Sequence, residues 1–421
     1  MNDTTINKYL NSNKNQLYRL GDKLFVTPEL GYKEFKTKKI LEDYLHKNSI
    51  KTKNLGSRTS FSATIGKGKP HIGLIAELDA IPTLGHSYAN KKDSYAAHSC
   101  GHSTQCAIMA YSLVALSKKK DLKGTITLFF TPAEEFTDVA FREKLIKNKE
   151  IKYIGGKINM LVDGCFDDTD MFIHLHTMTS NKYEFSIGST LGGFIHKKIS
   201  FLGKAAHAAV CPELGINALD AFTDFYKKID IIKHKYPKTD MVRIHGIITD
   251  GGQSVNSVPE RIVYECYVRS TNPKTLLKLS KDIDKAAINS CSKIKAKAFI
   301  KSTNGYLPLV QSDLLNKVIN KNVSNISRKI LYNEKSIAAG DVGDISVFKP
   351  IIQFGYTGFE GACHSKDLCI VNKDNAYLKP SIIVCNSVMD LLNNKDNTNK
   401  IIKTYKQRMS KKEYLNYINN K

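Results

Sequence analysis

The sequence predicts an α/β protein of two domains, one inserted into the other. Three observations carry this expectation. Short apolar runs alternate with amphipathic segments over the first part of the chain, the rhythm of a sheet with helices on both faces. From about Gly192 the rhythm changes to strand, helix, two strands, helix, strand. Beyond residue 303 the first rhythm resumes. With 421 residues, 42% of them hydrophobic, the chain has material for two cores.

Taken in order, FKTKKILEDYLHKN reads as an amphipathic helix. HIGLIAEL (71–78) is a compact apolar run, as expected of a strand covered on both faces. A long loop, PTLGHSYANKKDSYAAHSCGH, leads into the apolar helix CAIMAYSLVALSKKK. GTITLFF (124–130), INMLVD (158–163) and MFIHLH (171–176) continue the strand series. In the insertion, GFIHKKISFLG predicts a strand and INALDAFTDFYKKIDIIKHK a helix. MVRIHGIITDGG and ERIVYECYVRS follow as two strands, then the helix NPKTLLKLSKDIDKAAINSCSKI, opened by an Asn-Pro start signal, and the strand KAFIKSTNG. That order is β-α-β-β-α-β, the ferredoxin-like pattern. PIIQFGYTG (350–358) and the helix KPSIIVCNSVMDLLNN return to the first style. The expected domains are therefore 1–191 with 304–421, and 192–303 between them. The polar, basic tail from Lys395 to Lys421 predicts a solvated helix or a frayed terminus.

Composition narrows the function classes. The 63 basic and 40 acidic residues give a formal charge of +23. The lysines are scattered and arginine is scarce, whereas nucleic-acid readers favour arginine and basic stripes interleaved with aromatics. No nucleic-acid partner is expected. The first residues, MNDTTINKYLNSNKNQ, hold no apolar signal-peptide core, and no run approaches the ~18 apolar residues of a membrane span. These features predict a soluble, cytoplasmic protein with no membrane partner. The nine cysteines show no CxxC pair and read as reduced thiols.

In open α/β sheets, ligands gather beyond the carboxyl ends of the strands. Here HIGLIAEL is followed by Asp79, and GTITLFF by TPAEE with Glu134 and Glu135. MFIHLH ends at His176, and PIIQFGYTG precedes EGACHS with His364. Cys100 and His102 stand in HSCGH. One sheet edge thus collects a thiol, imidazoles and carboxylates. Zn²⁺ accepts all three donor types, whereas Mg²⁺ and Ca²⁺ favour oxygen alone. Two metals ~3.5–4 Å apart can share a water and polarise a carbonyl. Adjacent glutamates let one carboxylate ligate while the other handles protons. HExxH, GxSxG, the P-loop and the deaminase pattern are all absent.

TPELGYKEFKT, AELDAIP, HSCGH, FFTPAEE, DDTDMFIHLH, GKAAHAAVCPELGINALDA, GGQSVNSVPE, YVRS, GDVGDIS and ACHSKD occur in that order over nearly the whole chain. The ordered set resembles the aminoacylase and carboxypeptidase family of dinuclear metallohydrolases, in its N-acyl-amino-acid and aminobenzoyl-glutamate amidohydrolase branch. The resemblance implies a mixed-sheet catalytic domain with a ferredoxin-like lid and dimerisation domain. It implies two divalent ions (zinc or manganese, with cobalt as a substitute) on Cys100, His102, Glu135, His176 and His364. His174 is the alternative to His176, because the two positions face the same way on one strand. Glu134 matches the general base, and Asp79 an aspartate supporting the metal ligands. His207 matches a lid histidine that reaches an active site across a homodimer, and Asn256 and Arg269 match segments holding the substrate carboxylate. The implied reaction is hydrolysis of the amide bond of an N-acyl or N-aroyl amino acid, or of a dipeptide, by a metal-bridged water. The alternative is a non-catalytic metal- or ligand-binding protein on the same scaffold. Two departures stand out. Ser103 follows Cys-Gly-His where many relatives carry Asp or Asn, and the stretch between Asp79 and Cys100 is long and Lys-rich. His98 is expected to pack or to make a supporting contact, and Asp341 and Asp344 to line or buttress the site.

Overall fold

The computed structural model describes residues 4–419. Contacts divide the chain into two compact units. The first holds Met1–Ser189, Val310–Lys335 and Ile345–Arg408; the second holds Thr190–Leu309, Ser336–Asp344 and Met409–Lys421.

The first unit is built on a mixed eight-stranded sheet. Its strand order is Thr52–Asn54, Phe61–Lys67, Gly124–Thr131, His71–Glu77, Met171–Thr177, Ile351–Tyr356, Phe185–Ile187 and Ile330–Tyr332. The four central strands run parallel, with Glu77 level with Thr131 and His176 level with Gly355. Apolar runs buried on both faces specify such strands. Their carboxyl ends therefore emerge along one edge.

The helix His102–Ser117 is apolar all round, and every residue from His102 to Leu116 is buried. It packs against the sheet and beneath the helices Lys14–Phe25 and Lys379–Asn393. A helix without a polar face can only be a core helix. Truncating one of its fully buried side chains, such as Leu113, would cost about 2–5 kcal/mol.

Two expectations change. INMLVD is not a strand; it lies in the helix Gly156–Val162 and its C-terminal cap. A short apolar run fits either state, and local bonds decide here. The Asn159 side chain accepts from the backbone N–H groups of Lys152 and Tyr153 and donates to Gly155 O, bonds that need a turn leading into a helix. Of the two readings of the tail, the helix holds through residue 419 and the frayed terminus does not, and it is more anchored than a purely solvated helix. The tail forms the helices Lys395–Thr404 and Lys411–Asn419, which bury Ile401, Tyr414 and Tyr417.

The second unit has the β-α-β-β-α-β order. Strands Gly193–Leu202, Arg243–Asp250, Arg261–Ser270 and Lys297–Asn304 pair antiparallel, and the helices are Ala218–Lys233 and Pro273–Ser292. Across the sheet the fourth strand lies beside the first, then the third, then the second. Both helices are capped by asparagine. Asn217 accepts from Leu219 N, and Asn272 accepts from Lys274 N and Thr275 N with Pro273 in the first turn. The short segments 336–344 and 409–419 are tied in by side chains: Arg269 Nη1 donates to Ile337 O, and the Tyr414 hydroxyl to Asp344 Oδ1.

Candidate metal centre

Three turns at the strand ends shape the site in the first unit. Gly101 adopts φ 80° between Cys100 and the helix that starts at His102. A Cβ there would sit 2.0 Å from Thr177 Cγ2, so only glycine fits. The Thr177 hydroxyl, at the end of the neighbouring strand, donates to Cys100 O at 2.6 Å. Ala133 and His364 are held at φ 53° and 65°, uncommon for non-glycine residues. Each is restrained by a backbone bond: Ala133 N–H donates to Glu34 Oε1 at 2.9 Å, and His364 N–H to Ser99 O at 2.7 Å.

These turns aim donor atoms at one another. Cys100 Sγ lies 3.5 Å from His176 Nε2 and 3.3 Å from His364 Nε2. His364 Nε2 is 3.3 Å from Glu135 Oε1, and His102 Nε2 is 3.9 Å from Glu134 Oε2. Among the described residues, three trios lying wholly within the first unit have ligand atoms mutually within 4.8 Å: Cys100–His102–His176, Cys100–Glu135–His364 and His102–Glu134–Glu135. The first two share Cys100. Asp79, fully buried, ties them together. Its Oδ2 accepts from Glu135 N–H at 2.9 Å, and its backbone oxygen accepts from His102 Nδ1 at 2.9 Å.

The donor set fits divalent metal. His102 Nδ1 and His176 Nδ1 both face backbone oxygens at 2.9 Å, so each Nδ1 carries the hydrogen and each Nε2 presents a lone pair. Among the described residues, His102 Nε2 is buried without a hydrogen-bond partner. Burial opposes charge on His102, but Glu77, Asp79 and Glu134 outweigh it and push its pKa well up. The field at that nitrogen thus calls for a cation. Burial, with Glu135 and Glu134, raises the Cys100 pKa, so the thiolate needs a positive partner. Burial alone would raise Glu135, yet His364 and His102 hold it down to about 2.

A profile of peptidase family M20/M25/M40 matches residues 73–379. The chain belongs to that family. It is a metal-dependent hydrolase of amide or peptide bonds. Over 402 residues it is 24% identical to the N-acetyl-L-cysteine deacetylase of Bacillus subtilis, covering 92% of this chain and 91% of that protein. It is 22% identical to an IAA-amino acid hydrolase of Arabidopsis thaliana, covering 80% and 77%. Among solved structures, an aminohydrolase from methicillin-resistant Staphylococcus aureus superposes with a TM-score of 0.80 at 19% identity, over 93% of this chain and 99% of that one. A dinuclear metal-binding M20 peptidase from Bacillus subtilis does so at 0.70 and 17%, over 89% and 98%.

In this M20 chain the structure separates His174 from His176. Both point to the same side of the strand, but His174 lies one pleat deeper. Its Nδ1 is 3.0 Å from Gln353 Oε1, and its Nε2 is 3.2 Å from Glu77 Oε1 and 3.1 Å from Gln105 Nε2. It belongs to none of the three trios. The residues around it were not singled out in the sequence. Glu77 ends a buried apolar strand, and Lys157 sits fully buried with its Nζ 2.6 Å from Glu77 Oε1. A charged residue inside an apolar run was the available signal for both. Glu34 was missed too; it braces the Pro132–Glu135 turn. Burial and then Asp79 raise its pKa to about 7. His98 is buried, both ring nitrogens without a hydrogen-bond partner among the described residues, and burial lowers its pKa to about 3.

His207, Asn256 and Arg269 lie in the second unit. His207 is exposed, and its Nδ1 accepts from Ala209 N–H and Val210 N–H, each at 3.2 Å. Its loop is zipped to the loop of Asn256 by an Ala208 N–H to Asn256 O bond of 3.0 Å and a bridge between His207 and Ser257. Arg269 is half-buried, its guanidinium 5.2 Å from the Phe194 ring and 5.3 Å from the Tyr267 ring. Among the described residues its buried Nε has no hydrogen-bond partner.

Proposed function

We propose that the chain hydrolyses the amide bond of an N-acyl or N-aroyl amino acid, or of a dipeptide, with two divalent ions held by Cys100, His102, Glu135, His176 and His364. The observation that carries this reading is the pair of donor trios sharing Cys100, with Glu134 adjoining them. Zinc or manganese suits the mixed sulfur, nitrogen and oxygen donors, and cobalt would substitute. The ions would supply Lewis acidity to the substrate carbonyl and bring the pKa of the attacking water down to about 7.

The protein's own groups account for the rest. Glu134 accepts a proton from the water as its oxygen bonds to the carbonyl carbon. It returns that proton to the nitrogen as the C–N bond breaks. Asp79 fixes the His102 tautomer and pins the backbone of Glu135. With Nδ1 accepting from the backbone, the Nε2–H of His207 is a donor suited to the oxyanion. Arg269 and Asn256 bind the free carboxylate of the substrate, Arg269 by paired N–H bonds. Residues 192–303 act as a lid and dimerisation domain, and the working form is a cytoplasmic homodimer.

Incubating the metal-loaded protein with a panel of N-acyl amino acids and dipeptides, and following amine release, tests the reading. Hydrolysis of at least one class is expected. No release from any member, with both ions bound, would overturn it.

A further inference from the structure

Behind His102 lies a buried set of charges that the reaction does not use. Glu77 is buried at the end of its strand, 1% exposed, and its two oxygens look in different directions. Oε1 is 2.6 Å from Lys157 Nζ and 3.2 Å from His174 Nε2. Oε2 accepts from Gln105 Nε2 at 3.0 Å and stands 3.3 Å from His102 Nε2. A carboxylate oxygen of Glu77 also comes within 4.8 Å of one of Glu134. Glu77 is thus a further carboxylate beside the centre, with Asp79, Glu134 and Glu135.

An anion 3.3 Å from a ligating nitrogen would attract a cation strongly in so dry a site. Lys157 opposes that attraction. Its Nζ, on a fully buried side chain, sits against the far oxygen of the carboxylate. The lysine is carried by the helix Gly156–Val162, whose first residue packs on Pro132, just before the two glutamates. A Cβ at Gly156 would fall 1.7 Å from Pro132 O, so this close approach fixes where Lys157 begins.

We propose that Lys157 sets the metal affinity of the His102 position by neutralising Glu77 and holding it out of the ligand set. Lys157 is therefore a positioning residue. It acts on the ion through Glu77, which its Nζ contacts at 2.6 Å. The pair lets the centre bind a cation firmly while the charge of Glu77 is balanced internally. The inference rests on the metal-centre reading above.

The test compares Lys157→Met, Glu77→Gln and the double variant with the unmodified full-length chain. Zn²⁺ affinity is measured by competition with a chelator, stoichiometry by elemental analysis, and folding by thermal midpoint. Lys157→Met leaves the Glu77 charge uncompensated and should tighten Zn²⁺ binding roughly 10-fold or more. Glu77→Gln removes the charge that Lys157 faces and should weaken it roughly 10-fold or more. The double variant should return to within about threefold of the unmodified protein. A structural role alone would lower the midpoints and leave the affinity of the folded fraction unchanged; that result overturns the proposal. If Lys157→Met does not fold, the near-isosteric Glu77→Gln and the double variant decide by the same criteria. An unmodified chain that binds no metal would overturn the metal-centre reading itself. One that binds two ions, with variants that do not shift, would overturn only the role of Lys157.

Discussion

His102 and His176, in the first unit, give their Nδ1 hydrogens to backbone oxygens and turn a lone pair inward. His207, in the second, accepts two backbone N–H bonds at Nδ1 and turns an N–H outward. The surroundings differ in the same sense. His102 is 1% exposed among carboxylates, whereas His207 is exposed in a loop near Val255, itself 95% exposed. A buried lone pair in an anionic field suits a cation, and an exposed N–H suits developing negative charge. The first unit assembles its donors through its own fold. The second holds its histidine in an exposed loop.

This contrast can be broken most severely by removing metal. Chelation should abolish turnover, with Zn²⁺, Mn²⁺ or Co²⁺ restoring part of it. Cys100→Ser should lower metal occupancy, because a hydroxyl replaces the thiolate shared by two trios. Full occupancy and activity in that variant, read by elemental analysis and amine release, would remove Cys100 from the ligand set.

The next effect separates the two glutamates. Glu134→Gln should bind metal normally and lose about 10²–10⁴-fold in kcat. Glu135→Gln should lose metal first, since its carboxylate is held ionised beside His364. The reverse pattern would exchange their roles.

In the second unit, His207→Ala should lower kcat by about 10²–10³-fold with metal content unchanged, as expected on losing one oxyanion donor. Arg269→Ala should cost roughly tenfold more on N-acyl amino acids than on their amides, since only the acids offer a carboxylate. Equal losses would leave Arg269 as packing between Phe194 and Tyr267.

The smallest effect sharpens the contrast through pH. Burial, then Asp79, raises Glu34 from 4.5 to about 7 in the folded protein. For an acid raised on folding, the stabilisation is full below the unfolded value and is lost as pH climbs through the folded one. Metal-free protein should therefore lose about 1–3 kcal/mol between pH ~4.5 and ~7. Glu34→Gln should flatten that loss in thermal unfolding scans; an unchanged slope would clear Glu34 of it.

Much of the site was legible in the sequence because its donors follow apolar strands at once. AELDAIP, FFTPAEE and FIHLH each put a ligand type where a parallel strand ends, and the chain cannot carry them elsewhere. INMLVD misled because a run this short obeys neither period clearly, and the bonds of Asn159 settled the matter. The tail's helix was among the expectations, but its anchoring was not legible. Its polar composition hides Tyr414 and Tyr417, whose burial depends on the Asp344 segment rather than on their own neighbours. Ser336–Asp344 likewise belongs to the second unit through contacts that no local pattern records.

By itself the sequence determined what is local: which runs form strands, where the chain changes rhythm, and which ionisable residues stand just past an apolar segment. Periodicity and covalent adjacency suffice for these. Tertiary structure decided which atoms meet. Cys100 meets His364 and Glu77 meets Lys157 only because sheet register and one close backbone approach bring them together. His176 rather than His174 reaches Cys100 because it stands one pleat nearer the strand end, while the deeper histidine is spent on Glu77, Gln105 and Gln353. Alternation along a strand tells which side a residue faces; only packing tells how deep it lies.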